Sequence, residues 1–204
     1  MCQWPQRPDS LIDEAFGELA KRWKPILDAF DEAAVDVCYE IHTGEDLHDG
    51  TSFDRFLDAT HHHPRACICF DPSHFVLQQL DYLLFVDHYH ERIKIFHVKD
   101  AELRPNGKQG VYGGFAGWRD RAGRFRALGD GQVDFKALFT KLALYDYSGW
   151  ATLESECAVK EAIICAEEGA PRIRDFILPV AASDFDDFAG AGNTDPKQIL
   201  GIGR

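Results

Sequence analysis

The stretch Ile93-Lys94-Ile95-Phe96-His97-Val98-Lys99-Asp100 decides the fold, because an apolar, β-rich run there ends on a histidine that a lysine and an acid follow. Apolar runs of about four to eight residues are typical of buried strands. In a sheet of parallel strands, polar side chains at the carboxyl ends usually serve function, whereas the apolar strand bodies serve packing. We therefore expect a buried strand whose functional residue is His97.

Three other runs repeat this form along the chain: 35–41, 66–71 and 150–154. The spacing from Glu40 to Asp71 is 31 residues and that from Asp71 to His97 is 26, each close to one βα unit of roughly 30 residues. The spacing from His97 to Glu154 is 57 residues, because 101–132 form an insertion rich in glycine, arginine and aromatic residues.

Helical patterns separate these runs. One helix is expected over 10–33, with Pro25 as the point where it divides in two, and another after Thr51 as its cap. Further helices are expected near 75–90 and at about 133–145. Strands that alternate with helices at this interval predict an α/β fold with a parallel sheet.

Each of the four strands ends on a residue that can bind a metal, namely Glu40, Asp71, His97 and Glu154. Because the carboxyl ends of parallel strands converge on one mouth, we expect these side chains to meet. The two-residue period of a strand places Cys38 on the face of Glu40, and Cys67 and Cys69 on the face of Asp71. Small residues that point inward beneath an acid at the mouth fit a barrel interior.

Three carboxylates and one imidazole predict a site for one divalent metal ion, since burying three acids without a cation is costly. We expect Mn²⁺ first, ahead of Mg²⁺, Co²⁺ or Zn²⁺. Such an ion polarises a carbonyl and its adjacent hydroxyl, which makes the intervening C–H acidic. Glu40 and Glu154 are the ligands that we expect to act as catalytic bases.

Ordinary structural roles stay open for the same residues. Glu40 can pair with Lys99, Asp71 can form a turn before Pro72, and His97 can be a core histidine. Glu156 competes with Glu154, because both point to one face of the strand.

Three further residues are expected to contact the substrate. His74 lies three residues after Asp71 at the mouth, and Lys99 either binds substrate or neutralises the acids. Arg126 is chosen from the four arginines at 119, 121, 124 and 126, although a solvated loop is the competing interpretation for each of them.

Composition excludes several functions. The formal net charge of −12 argues against partners such as nucleic acid or an anionic membrane. No apolar run approaches the roughly 20 residues that cross a bilayer, and no signal peptide is visible. The six cysteines include no Cys-x-x-Cys pair, which favours a reduced, cytoplasmic protein.

Four motifs resemble the sugar phosphate isomerase/epimerase family of xylose-isomerase-like barrels: Tyr39-Glu40-Ile41-His42, Phe70-Asp71-Pro72-Ser73-His74, Phe96-His97-Val98-Lys99-Asp100 and Leu153-Glu154. The resemblance covers about 4–186 and implies a (β/α) TIM barrel with one divalent metal. It implies that the four strand-end residues are the ligands, that His74 contacts substrate, and that Arg126 offers a basic substrate contact.

The sequence departs from this family in one respect, because a single helix precedes Glu40 and no earlier strand–helix repeat is visible. We therefore expect only the C-terminal half of a barrel, about four βα units, in residues 1–180, and an irregular tail over 181–204. A homodimer or a separate N-terminal half-barrel is the expected partner, since open sheet edges favour pairing.

The leading functional hypothesis is a metal-dependent isomerase or epimerase of a small keto sugar or polyol, which works through an enediolate. The first alternative is a keto-polyol (inosose-type) dehydratase on the same scaffold. A barrel endonuclease is a weaker alternative because of the acidic charge. The non-enzyme alternative is an inactive truncated fragment that acts as a scaffold or partner subunit.

Overall fold

A four-stranded parallel sheet forms the centre of the protein. The computed structural model describes residues 8–111 and 113–177. In chain order the strands of this sheet are β1 (Val37–Glu40), β2 (Ala66–Phe70), β3 (Ile93–Val98) and β6 (Trp150–Leu153). They lie in the spatial order β1-β2-β3-β6, and all three pairings are parallel. The predicted α/β architecture with a parallel sheet is confirmed.

Six helices connect or flank these strands within the described residues: α1 (Asp9–Glu32), α2 (Gly50–Ala59), α3 (Pro72–Gln78), α4 (Tyr82–Tyr89), α5 (Phe135–Leu144) and α6 (Ala162–Phe176). None of them is both long and apolar enough to span a bilayer. The cap of α2 is Asp49 rather than Thr51, because the Asp49 carboxylate accepts the N–H of Ser52 at 2.7 Å and the Ser52 hydroxyl accepts the N–H of Asp49.

The hydrophobic core lies between the sheet and the helices. Its largest fully buried side chains are phenylalanines: Phe53, Phe56, Phe70, Phe75 and Phe96. Tyr39 points to this side of β1, where its ring centroid lies 4.9 Å from that of Trp23 and 4.9 Å from that of Phe56. The neighbouring residues on β1 therefore face the opposite side, as the two-residue period predicts.

Two further predictions about the helices are wrong. Pro25 does not divide α1, which continues from Asp9 to Glu32 and fully buries Leu27. The stretch near 75–90 is two helices instead of one, because Gln79 adopts a left-handed conformation (φ 59°) that ends α3. Asp81 then caps α4 by accepting the N–H groups of Leu83 and Leu84.

The insertion at 101–132 contains an antiparallel hairpin that the sequence pattern did not indicate. Its strands are β4 (Asp100–Leu103) and β5 (Gly123–Arg126), with two short 3₁₀ turns between them. The buried carboxylate of Asp100 accepts backbone N–H groups from Ala101, Gly129, Gly131 and Val133. A Cβ at Gly131 would lie 2.1 Å from Oδ1 of Asp100, so this close approach requires glycine. Asp100 thereby fixes the end of the insertion beside β3.

The two outer strands of the sheet pair on one side only within the described residues, since β1 pairs with β2 and β6 pairs with β3. On β6 the side chain of Trp150 is strongly exposed. The expected partner, whether a second copy or an N-terminal half-barrel, stays a prediction. The predicted tail at 181–204 lies outside the described residues.

Candidate metal centre

The parallel sheet brings the four strand-end residues together. Glu40 ends β1, Asp71 follows β2, His97 lies in β3 and Glu154 follows β6. Each offers one nitrogen or oxygen atom, and these four atoms all lie within 4.8 Å of one another. We call these four residues the acid–histidine cluster. Their convergence follows from topology, because each of the four parallel strands contributes one of them at the same edge.

The two oxygens of the Asp71 carboxylate have different contacts. Oδ1 accepts the backbone N–H of Ser73 at 2.8 Å and so caps α3, while Oδ2 faces the cluster. The side chain is fully buried. Burial raises the pKa of Asp71 to about 6, although the nearby charges of His74 and Lys99 oppose that shift.

Several buried polar atoms of this region have no hydrogen-bond partner among the described residues. Five of them face one another: Oε1 of Glu40, Oδ2 of Asp71, Nε2 of His74, Nδ1 of His97 and Oε2 of Glu154. These atoms lie 2.8–3.5 Å from one another as ion pairs without good hydrogen-bond geometry, an arrangement that a bound cation would complete. The donors are carboxylate oxygens and imidazole nitrogens, which fit a divalent cation.

His97 lies between the two glutamates of the cluster. Its Nδ1 is 2.8 Å from Oε2 of Glu154 and 3.5 Å from Oε1 of Glu40. The adjacent Cys69 side chain and the Glu40 carboxylate raise the pKa of His97 to about 10. The imidazoles of His74 and His97 in turn hold the pKa of Glu40 well below its usual range.

His74 is buried within the cluster. Its Nε2 lies 3.4 Å from Oε1 of Glu40 and 3.4 Å from Oδ2 of Asp71. The ring packs against His42, with a centroid distance of 4.0 Å, and meets the ring of Phe125 edge-on at 5.3 Å. The imidazole is therefore held in one orientation, with one nitrogen directed at the carboxylates. Its predicted contact with substrate stays a prediction.

Lys99 is a buried cation next to the cluster, with its side chain 2% exposed. Its Nζ lies 2.5 Å from Oε2 of Glu156, 3.4 Å from Oδ2 of Asp71 and 3.5 Å from Oε2 of Glu154. The ammonium also lies over the Phe125 ring, 4.3 Å from its centroid. Burial alone would lower the pKa of Lys99, but the three acids outweigh it and raise the pKa above its ordinary value.

The two candidate acids after β6 have different neighbours. Glu154 contributes Oε2 to the cluster, whereas Glu156 is about half exposed and forms its close contact with Lys99. The geometry thus favours Glu154 as the ligand and gives Glu156 the role of a counter-ion.

Arg126 is held by acids of the insertion. One guanidinium nitrogen lies 2.8 Å from Glu102, and another lies 3.8 Å from Asp130. The same Glu102 carboxylate, itself 2% exposed, also binds Arg124 at 2.6 Å and Arg104 at 3.0 Å. Glu102 is therefore a shared counter-ion for three arginines. The predicted substrate contact of Arg126 stays a prediction.

Several residues of the centre were missed at the level of sequence. Phe125 covers Lys99 and touches His74, and Cys69 lies beside His97. Phe125 lies in the hairpin, whose return to the sheet no local pattern indicates. Cys69 had a signal, since it shares a face with Asp71, but its contact with His97 depends on the neighbouring strand.

Comparison with known proteins shows which sequences this chain resembles. The sequence profile described as "Xylose isomerase-like TIM barrel" matches residues 3–177. An inosose dehydratase of Histophilus somni (strain 129Pt) is 30% identical over 180 residues, which are 84% of this chain and 55% of that protein. An inosose dehydratase of Bacillus velezensis is 29% identical over 134 residues, which are 61% of this chain and 42% of that protein.

A solved structure agrees in fold. The 3-keto-D-glucoside 4-epimerase of E. coli aligns with a TM-score of 0.60 at 13% identity, over 85% of this chain and 59% of that one. Identity this low establishes a shared fold and nothing finer. The chain spans about half the length of the curated relatives that it matches.

Proposed function

The chain belongs to the xylose isomerase-like TIM barrel family, and from that membership we propose that it carries the metal centre of a keto-polyol dehydratase. The observation that carries the proposal is the acid–histidine cluster, whose four donor atoms lie within 4.8 Å of one another. The two curated relatives described above are inosose dehydratases, which favours dehydration over isomerisation or epimerisation, the leading hypothesis from the sequence.

Glu40, Asp71, His97 and Glu154 would hold one divalent ion, with Mn²⁺ as the first candidate. The closeness of their donor atoms, which all lie within 4.8 Å of one another, supports a single shared ion. When bound, the ion would polarise a carbonyl and its adjacent hydroxyl, so that the C–H between them becomes acidic.

The residues of the chain would then move the protons. A carboxylate of Glu40 or Glu154 removes the proton from the carbon next to the carbonyl and leaves an enediolate of the substrate. Loss of the hydroxyl on the following carbon needs a proton donor, and Lys99 is the buried ammonium closest to Glu154. The departing hydroxide takes that proton and leaves as water, so the reaction needs no oxidant or reductant. His74 would orient a hydroxyl group of the substrate.

An epimerase or isomerase is the second candidate, and one observation favours it. Glu40 and Glu154 approach the His97 ring from two different strands, at 3.5 Å and 2.8 Å. Two carboxylates in one site can act as a pair, in which one removes a proton and the other returns it to the substrate.

The test uses the full chain loaded with Mn²⁺, an inosose as substrate, and D₂O as solvent. A dehydratase yields a product lighter by one water, whereas an epimerase or isomerase yields deuterium at the α-carbon with no loss of mass as water. Glu154→Gln should abolish either result. The matched control Glu14→Gln changes an exposed acid on α1 and should leave the reaction unchanged. Absence of both reactions in the metal-loaded chain would contradict the proposal.

A further inference from the structure

A cavity with a volume of about 400 Å³ opens beside the carboxyl ends of the strands. Its walls come from three segments that follow strand ends: Thr43 after β1, the end of α3 from Leu77, and the insertion from Leu103 to Val111. We call it the rim cavity. None of the lining residues is a member of the acid–histidine cluster.

Two elements lead from the cluster to the rim cavity. Asp71 caps the start of α3, and Leu77 and Gln78 at its other end line the cavity. At roughly 1.5 Å per helical residue, the two ends are about 10 Å apart. His42 gives a second connection, since its ring packs on His74 and the next residue, Thr43, lines the cavity. These two connections place the rim cavity about 10 Å from the cluster along α3.

The lining combines hydrogen-bonding groups with apolar surface. Thr43 has a buried hydroxyl with no hydrogen-bond partner among the described residues. The side-chain NH₂ group of Gln78 donates to the carbonyl of His48 at 2.9 Å, so its side-chain oxygen can accept a hydrogen bond from a ligand. Gln109 uses its oxygen on the N–H of Ala122 at 3.0 Å, so its NH₂ group remains to donate.

Leucine side chains complete the lining, at Leu77 and Leu103. Among the described residues that line the cavity, none is ionisable. A charged ligand group would lose its hydration there without a counter-charge, which is costly. A sugar ring suits such a surface, because it presents hydroxyl groups at its edge and C–H groups on its faces.

We propose that the rim cavity binds an uncharged glycosyl or polyol group of the substrate whose keto end lies at the acid–histidine cluster. The inference rests on the proposed function for the keto end, and it adds that the enzyme accepts a substrate larger than a single ring. The volume is within the range of small-molecule sites and exceeds what one hexose ring needs.

The test fills the cavity without disturbing the fold. Gly110 lines the cavity, and a Cβ built there meets no atom within 4 Å, so Gly110→Trp can place a ring in the space. Gly117 is equally open but does not line the cavity, which makes Gly117→Trp the matched control. Thr43→Val is a second variant, which removes the unpartnered hydroxyl and keeps the side-chain shape.

The probes are galactinol, an uncharged galactosyl-inositol, and myo-inositol, measured by saturation-transfer NMR with the Mg²⁺-loaded full chain. We expect galactinol to bind more tightly than myo-inositol, with saturation on its galactose ring. Gly110→Trp should weaken galactinol binding by about tenfold and Thr43→Val by about fivefold, while Gly117→Trp leaves it unchanged. Binding of myo-inositol should be equal in all four proteins.

Equal binding of the two probes by the parent chain would overturn the inference, as would undiminished galactinol binding by both cavity variants. The proposed function fails in a different measurement, namely the single-ring reaction with an inosose in D₂O, to which the rim cavity does not contribute. A chain that holds galactose in the cavity but leaves inosose unchanged would count against the proposed function alone.

Discussion

One oxygen of the Asp71 carboxylate accepts the backbone N–H of Ser73 at 2.8 Å, so the residue that caps α3 is also a member of the acid–histidine cluster. The same side chain therefore caps a helix and contributes an oxygen atom to the cluster. Substitutions that keep one role and remove the other separate the two contributions.

Asp71→Asn should retain the cap and lose the metal, because an amide oxygen can still accept the N–H of Ser73 whereas the negative charge is gone. Asp71→Ala should lose both. In the presence of a chelator, we expect the free energy of unfolding of the alanine variant to be about 1 kcal/mol lower than that of the asparagine variant, because a helix cap usually contributes about this much. Urea unfolding measures this difference, and equal stabilities would contradict the capping role.

Addition of Mn²⁺ to the chelator-treated chain should raise its melting temperature. A ligand that binds only the folded state contributes about 2.7 kcal/mol at a free concentration 100 times its Kd, which is roughly 5–10 °C for a chain of this size. Differential scanning calorimetry with and without the ion measures the shift. Asp71→Asn is the control and should show none, so a shift of equal size in that variant would place the ion elsewhere.

Lys99→Met should destabilise the metal-free chain by about 3 kcal/mol, because it leaves the fully buried Asp71 carboxylate without the ammonium group that lies 3.4 Å away. Glu156→Gln should cost only about 1 kcal/mol, since the Glu156 side chain is 53% exposed and Lys99 keeps Asp71 and Glu154 as neighbours. A double-mutant cycle on the pair, followed by urea unfolding, should give a coupling of about 1 kcal/mol. Strict additivity would show that the 2.5 Å contact contributes nothing.

Asp100→Asn should loosen the end of the insertion while leaving metal binding intact. The carboxylate accepts four backbone N–H groups, and an amide presents an NH₂ group to some of these donors, which we expect to cost about 2–3 kcal/mol. Hydrogen exchange at the amides of Gly129, Gly131 and Val133 should become faster. The matched variant Asp120→Asn, in an exposed part of the same insertion, should leave these rates unchanged.

The sequence predicted the centre of the fold because the relevant signals are local. Each strand carries its own apolar run and its own terminal polar residue, so the meeting of Glu40, Asp71, His97 and Glu154 follows from parallel topology. The alternation of residues along β1 is also a local signal, and the packing of Tyr39 against Trp23 and Phe56 confirms which face of the strand points to the core.

The features that were missed depend on residues far apart in the chain. Asp100 became an anchor because Gly129 and Gly131 return to it, about 30 positions later. The contact between Lys99 and Glu156 joins residues that follow two different strands, β3 and β6. The end of α3 was missed for another reason, because Gln79 occupies a left-handed position that glycine or asparagine usually signals.

The sheet order has a mechanical consequence. Neighbouring strands lie about 4.8 Å apart, so β1 and β6, with two strands between them, would stand about 14 Å apart in a flat sheet. Glu40 and Glu154 nevertheless bring donor atoms within 4.8 Å of each other. Side-chain reach supplies part of that convergence, and the curl of the sheet supplies the rest. Flattening the sheet would separate these two glutamates first, so the acid–histidine cluster exists only because the sheet is curved.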